Sequence, residues 1–327
     1  MKNRWIAGLL AVCMMLTVTM GSLPAMAAQD EITEDLRGEN TTSEPLTTAL
    51  QEAVEASLAA DATEEEQPTA EPTGEPGTSS QAAGETIKGY SFEYEGNTFL
   101  ADLDTDDSGK KVATITTVEA GAGATALDFP AEIPDPAGDP ADPYTVTKIR
   151  LVYRDSIPYE NAFTSVQFPS KVEEISFGNH ASRLSKVTEL TIPGSVKNFK
   201  GSFQGMEDLE TLTFADGVEE ISGDSIVYGC SSLKTIRLLS SSMKLSGTST
   251  FGDATSLTKI TLPENIEITG ISTFSGCTAL KEIKLPASIT KINDYMFECC
   301  TSLQTVTAEV TIKEIGKNAF NGDAKLV

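Results

Sequence analysis

Catalytic chemistry has little to work with in these 327 residues. The chain holds one histidine, His180, inside GNHASR, and no residue spacing assembles a Ser/His/Asp or Cys/His set around it. No glycine-rich phosphate loop and no HExxH helix occurs, and the chain is expected to act without enzymatic chemistry or a cofactor. Asp102, Asp104, Asp106 and Asp107 cluster hard oxygens as calcium would require. The EF-hand spacing, however, places Asp107 where glycine is needed and Ala113 where glutamate is needed, so an acidic turn is the plainer reading. Past the first residues the cysteines are Cys230, Cys277, Cys299 and Cys300. Three of them stand three residues after Val227, Phe274 and Phe297, which predicts a column of small buried groups. Zinc lacks a partner histidine at ligand spacing, so no metal is assigned. Neighbouring coils would bring Cys277 and Cys300 within disulfide range, whereas side chains stacked in parallel favour free thiols.

The elements that position these residues come from a repeat. Phe251, Phe274, Phe297 and Phe320 recur every 23 residues, each followed six residues later by Leu257, Leu280, Leu303 and Leu326. Further back, apolar pairs recur at steps of 22 to 24: Val166/Phe168, Leu190/Ile192, Leu212/Phe214, Ile236/Leu238, Ile260/Leu262, Ile283/Leu285 and Val306/Ala308. A fixed period in the twenties means coils that bury their apolar residues only against the coils above and below. Within each coil, L-x-x-I-x-L alternates as a short half-buried strand. Proline follows at Pro169, Pro193, Pro263 and Pro286 and ends the strand. Apolar residues of the return half, Val218, Ile221, Ile289, Ile292 and Ile315, together with the phenylalanines, are expected in the core.

The string L-x-x-I-x-L-P-x-x-I-x-x-I-x-x-x-x-F-x-x-C-x-x-L, nearly intact from Leu257 to Leu303, resembles the BspA-like class of bacterial leucine-rich repeats. The resemblance covers about residues 112–327. It implies a curved parallel solenoid with little helix, export to the cell surface, and adhesion or protein binding. It names no ligand.

Charge sets the rest of the organisation. The formal charge is −24, and residues 28–88 carry −13 of it while residues 161–327 carry only −4. Such a chain offers no basic footprint to nucleic acid and none to anionic lipid. Residues 1–27 read as a secretory signal: Lys2 and Arg4, an apolar run from Trp5 to Thr19, and Ala25-Met26-Ala27 before the cut. The cleaved chain is then expected to hold no membrane-inserted segment. Residues 28–88, rich in Glu, Thr, Ala, Ser and Pro, read as an acidic disordered linker. Residues 89–156 are read as an N-terminal β cap, a hairpin around DTDDSG, with a degenerate first repeat interrupted by DPAGDPADP. Residues 157–327 form the leucine-rich repeats, and the sequence reads as truncated after Leu326.

A surface remains as the functional candidate. The residues between the paired apolar positions, and those two before them, point outward on a sheet face that the resemblance makes concave. Thr191, Thr213, Arg237, Lys259, Thr261, Glu282, Lys284 and Thr307 are the candidate partner-binding residues on it. The partner class is a protein of the host extracellular matrix or of the envelope. A structural envelope spacer is the rival reading, and an accessory arm of an envelope enzyme a third.

Overall fold

The computed structural model describes residues 86–151 and 163–327. The signal reading, with its apolar run from Trp5 to Thr19, and the linker reading up to residue 85 therefore lie outside the described residues. The side chain of His180 does too, although its backbone belongs to a 3₁₀ helix, Gly178–Leu184.

The cap comes first. β1 (Ile87–Tyr94), β2 (Asn97–Thr105) and β3 (Lys111–Glu119) form an antiparallel meander rather than a single hairpin. The turn missed in the sequence is Glu95-Gly96, with φ of 48° and 75°. Two consecutive left-handed residues make the tight hairpin whose twist matches its strands. The DTDDSG turn between β2 and β3 is organised by Asp106, whose Oδ1 accepts from the Ser108 amide, the Ser108 hydroxyl and the Lys110 amide. That carboxylate is engaged in turn formation, and these bonds hold its pKa below the ordinary value.

β4 (Ala126–Asp128), β5 (Glu132–Ile133), β6 (Tyr144–Arg150), β7 (Ser165–Gln167) and β8 (Glu174–Ser176) make the transition into coils. β3 pairs parallel with β6, and β6 with β8, so the cap sheet runs on into the first coil and ends at β8. The DPAGDPADP insertion folds back onto β3. Lys111 Nζ reaches Asp135 at 3.0 Å and Asp142 at 2.8 Å and lies over the Tyr144 ring.

Each coil then supplies one strand to each of two walls. On the first wall stand β9 (Glu189–Ile192), β11 (Thr211–Phe214), β13 (Thr235–Leu238), β15 (Lys259–Thr261), β17 (Glu282–Leu285) and β19 (Thr305–Ala308). On the second stand β10 (Asn198–Phe199), β12 (Glu220–Ile221), β14 (Ser242–Leu245), β16 (Asn265–Ile268), β18 (Lys291–Ile292) and β20 (Glu314–Ile315). All pairings between coils on both walls are parallel and keep equivalent positions opposite each other, as with Leu190, Leu212, Ile236 and Ile260. This is a β-solenoid of about six turns with no α-helix among the described residues.

The third side of each coil is an arch carrying the phenylalanine. Phe251, Phe274 and Phe297 are wholly buried, with ring centroids 5.9 and 5.7 Å apart, and Phe320 continues the stack at 5.5 Å. The arch needs two left-handed residues per coil. One lies two before the phenylalanine (Ser249, Ser272, Tyr295, Asn318), the other two after it (Asp253, Gly276, Cys299, Gly322).

The core positions behave as the period requires except at Phe168, which is half-buried, and in the last coil. Ile315 was expected inside but is 62 % exposed, and Val306 and Ala308 are also accessible. β19 and β20 are the outer strands of their sheets, with no further strand paired to them among the described residues.

Candidate functional site

The repeat fixes the outward residues in two columns on the first wall. Glu189, Thr211, Thr235 and Lys259 lie opposite one another in one column, and Thr191, Thr213, Arg237 and Thr261 in the other. β17 and β19 carry both columns on, with Glu282 opposite Thr305 and Lys284 opposite Thr307. All eight sequence-predicted residues therefore lie on one wall. Thr213 is a correction: it is only 9 % exposed, flanked in register by Thr191 and the long side chain of Arg237, and it offers a partner almost no surface.

The face is not uniform. A groove of about 430 Å³ opens over β15, β17 and β19, and Lys259, Thr261, Glu282, Lys284 and Thr307 line it. Thr191 and Arg237 stand outside it, toward the cap. Sequence reasoning missed two more lining carboxylates, Glu264 and Glu309. Glu309 follows β19 and meets Lys284 of the preceding coil at 2.6 Å. This contact holds the Glu309 carboxyl below its ordinary pKa and raises that of Lys284. A base and an acid 25 residues apart in a 23-residue period were the available signal.

Opposite charges on neighbouring coils pair elsewhere too, as Lys234–Glu210, Lys197–Glu219 and Lys291–Glu314. Exposed pairs of this kind contribute little to stability. Their effect here is to leave the surface electrically mixed.

The cysteine column runs through the core. Cys230, Cys277 and Cys300 are buried free thiols. Each donates its S–H to the carbonyl of an arch residue one coil back: Phe203 at 3.1 Å, Phe251 at 3.3 Å and Phe274 at 3.2 Å. Burial pushes the Cys230 thiol up to about 12 and raises the other two as well. These thiols are therefore unreactive packing groups.

Asp323 takes the same column position in the last coil. Its carboxyl oxygens are buried without a hydrogen-bond partner, since the nearby Cys300 amide is committed to the Phe297 carbonyl. Desolvation, with the charge of Glu298 adding to it, raises its pKa to about 7.

Among the described residues no group of three or more His, Cys, Asp or Glu is placed to hold a metal ion. No helix among them is long and apolar enough to cross a membrane.

A comparison with curated proteins finds no match. Among solved structures, a Treponema pallidum leucine-rich repeat protein is 20 % identical, with a TM-score of 0.47, over 69 % of this chain and 87 % of that one. A leucine-rich cell surface protein of Faecalibacterium prausnitzii is 18 % identical, with a TM-score of 0.30, over 73 % and 93 %. The pneumococcal vaccine antigen PcpA is 19 % identical, with a TM-score of 0.29, over 73 % and 80 %. The family model for the BspA type leucine-rich repeat region matches in 6 copies over residues 158–254 and 199–327. With that match spanning more than half of its length, and with parallel coils stacked through the matched region, the chain belongs to the BspA-type leucine-rich repeat family.

Proposed function

We propose that this protein is an exported, non-catalytic protein-binding module that engages a host-matrix or envelope protein through its first wall. The observation that carries this reading is the groove over β15, β17 and β19. It gathers Lys259, Thr261, Glu282, Lys284 and Thr307 on strands whose backbone is fixed by the solenoid. A preorganised backbone loses little entropy on association, which favours binding on a flat repeating face. Arg237 and Lys259 add positive charge on adjacent strands of an otherwise acidic chain and favour an acidic contact on the partner.

The test compares two triple charge reversals in full-length protein against matrix and envelope protein extracts, followed by titration of any captured protein. Arg237→Glu, Lys259→Glu and Lys284→Glu change the first wall; Lys197→Glu, Lys244→Glu and Lys291→Glu change the second. The first set is expected to weaken capture at least about tenfold and the second to leave it unchanged, because rim and face charges act locally. Equal behaviour of both sets, or no saturable binding by the wild type, favours a structural spacer instead.

A further inference from the structure

Within the run of regular coils from β9 onward, strand pairing breaks between the same two coils on both walls, as it also does where the run begins, between β7 and β9 and between β8 and β10. The first wall runs β9-β11-β13-β15 and then restarts as β17-β19, and the second runs β10-β12-β14-β16 and restarts as β18-β20. Coil length does not set the break: Leu190 to Leu212 is 22 residues and Leu212 to Ile236 is 24 with the ladder intact, whereas Ile260 to Ile283 is 23 across the gap.

The third side does not break. Across the same seam the Ser249 amide donates to Ile271 O at 2.9 Å, that of Phe251 to Thr273 O at 2.9 Å, and that of Asp253 to Ser275 O at 2.7 Å. The Cys277 thiol and the Thr278 hydroxyl cross it as well, to Phe251 O and Thr255 O, and the Phe251 and Phe274 rings remain stacked. On the second wall the gap is spanned by a side chain: Asn293 Nδ2 donates to Ile268 O at 2.7 Å and to Gly270 O at 3.0 Å. On the first wall the gap is where the groove opens.

From this we infer that the seam is a hinge, with its axis along the arches and its opening side at the two walls. Ladder hydrogen bonds resist separation of the arches, while the walls are free to part because side-chain contacts there stretch at lower cost than a strand ladder. Bending at the seam changes the width of the groove, so residues 272–327 move as a unit against the coils before them.

Spin labels on the full chain test it, with Cys13 and Cys299 replaced by serine in every sample and the buried thiols left in place. Lys259→Cys with Glu282→Cys reports the first wall across the seam. Thr235→Cys with Lys259→Cys reports the same wall where β13 and β15 are paired, and Thr255→Cys with Thr278→Cys reports the arches across the seam. The first pair is expected to show a distance distribution at least about twice as broad as either other pair, as motion about a hinge requires. A first pair as narrow as the second shows a rigid seam and overturns the inference. An arch pair as broad as the first shows fraying of residues 272–327 instead of bending, and overturns it too.

Discussion

Phe297 has no exposed surface and stacks between Phe274 and Phe320, with ring centroids 5.7 and 5.5 Å away. Phe297→Ala leaves a cavity that the walls on either side are too constrained to close, and is expected to cost ~3 to 5 kcal/mol. Thr261→Ala, on the solvated side of β15, should stay within about 0.5 kcal/mol. Denaturant titration of the two variants checks both values, and equal losses would contradict the coil packing. Asp323 adds a pH dependence of determined sign. Its folded pKa of about 7 lies above the ordinary aspartate value of 3.8, so folding favours the neutral acid. The stability it allows is complete below about pH 4 and is lost as pH rises toward 7. Asp323→Asn removes that loss. Unfolding midpoints of variant and wild type between pH 4.5 and 8 should diverge in favour of the variant as pH rises. Glu174 and Glu309, whose pKa values are lowered by their basic partners, act at lower pH and cancel in the difference. A constant difference would mean that Asp323 is solvated.

At the scale of elements, the arch imposes a rule that hydrophobic spacing does not show. Gly276 has φ of 75°, and a Cβ added there would lie 2.3 Å from Asp253 Oδ1 of the preceding arch. Gly276→Ala is therefore expected to cost about 1 to 3 kcal/mol through backbone strain and a displaced carboxylate. A thermal melt within error of wild type would refute the strain argument. The strands and core could be read from the sequence because their period, 2 within a strand and 22 to 24 between coils, is carried by apolar residues. The left-handed positions were not legible, since Ser, Tyr, Asn, Asp, Cys and Gly all occupy them and share no chemistry. The Glu95-Gly96 turn was not legible either, because the aromatic residues around it suit one long strand. For the candidate site, spacing alone placed Lys259, Thr261, Glu282, Lys284 and Thr307 on one wall. It could not show that Thr213 is covered by its neighbours, because that depends on side-chain size across strands. Nor could it show the groove, which depends on a ladder failing between two coils whose sequences both look regular.

For the whole molecule, the question is what the acidic N-terminal stretch contributes to a surface on the repeats. Residues 28–88 hold 15 acids against 2 bases, and the repeats from 161 onward hold 19 against 15. Long-range attraction between such segments is screened beyond about 8 Å at physiological salt. The stretch influences the first wall only if it touches it. β1 begins at Ile87 and is paired to β2 along its length, so protection from proteases should begin there. Limited proteolysis is expected to cut within residues 28–88 and leave a resistant fragment starting near Ile87, identified by mass spectrometry. If that stretch is only a spacer, the fragment binds the protein captured by the full chain with the same affinity at 50 and 150 mM salt, concentrations roughly spanning the range over which exposed charges become screened. A fragment that binds about tenfold more tightly at low salt, the difference vanishing at high salt, would show the acids competing with the partner for Arg237 and Lys259. Protection throughout residues 28–88 would place the domain boundary earlier in the chain.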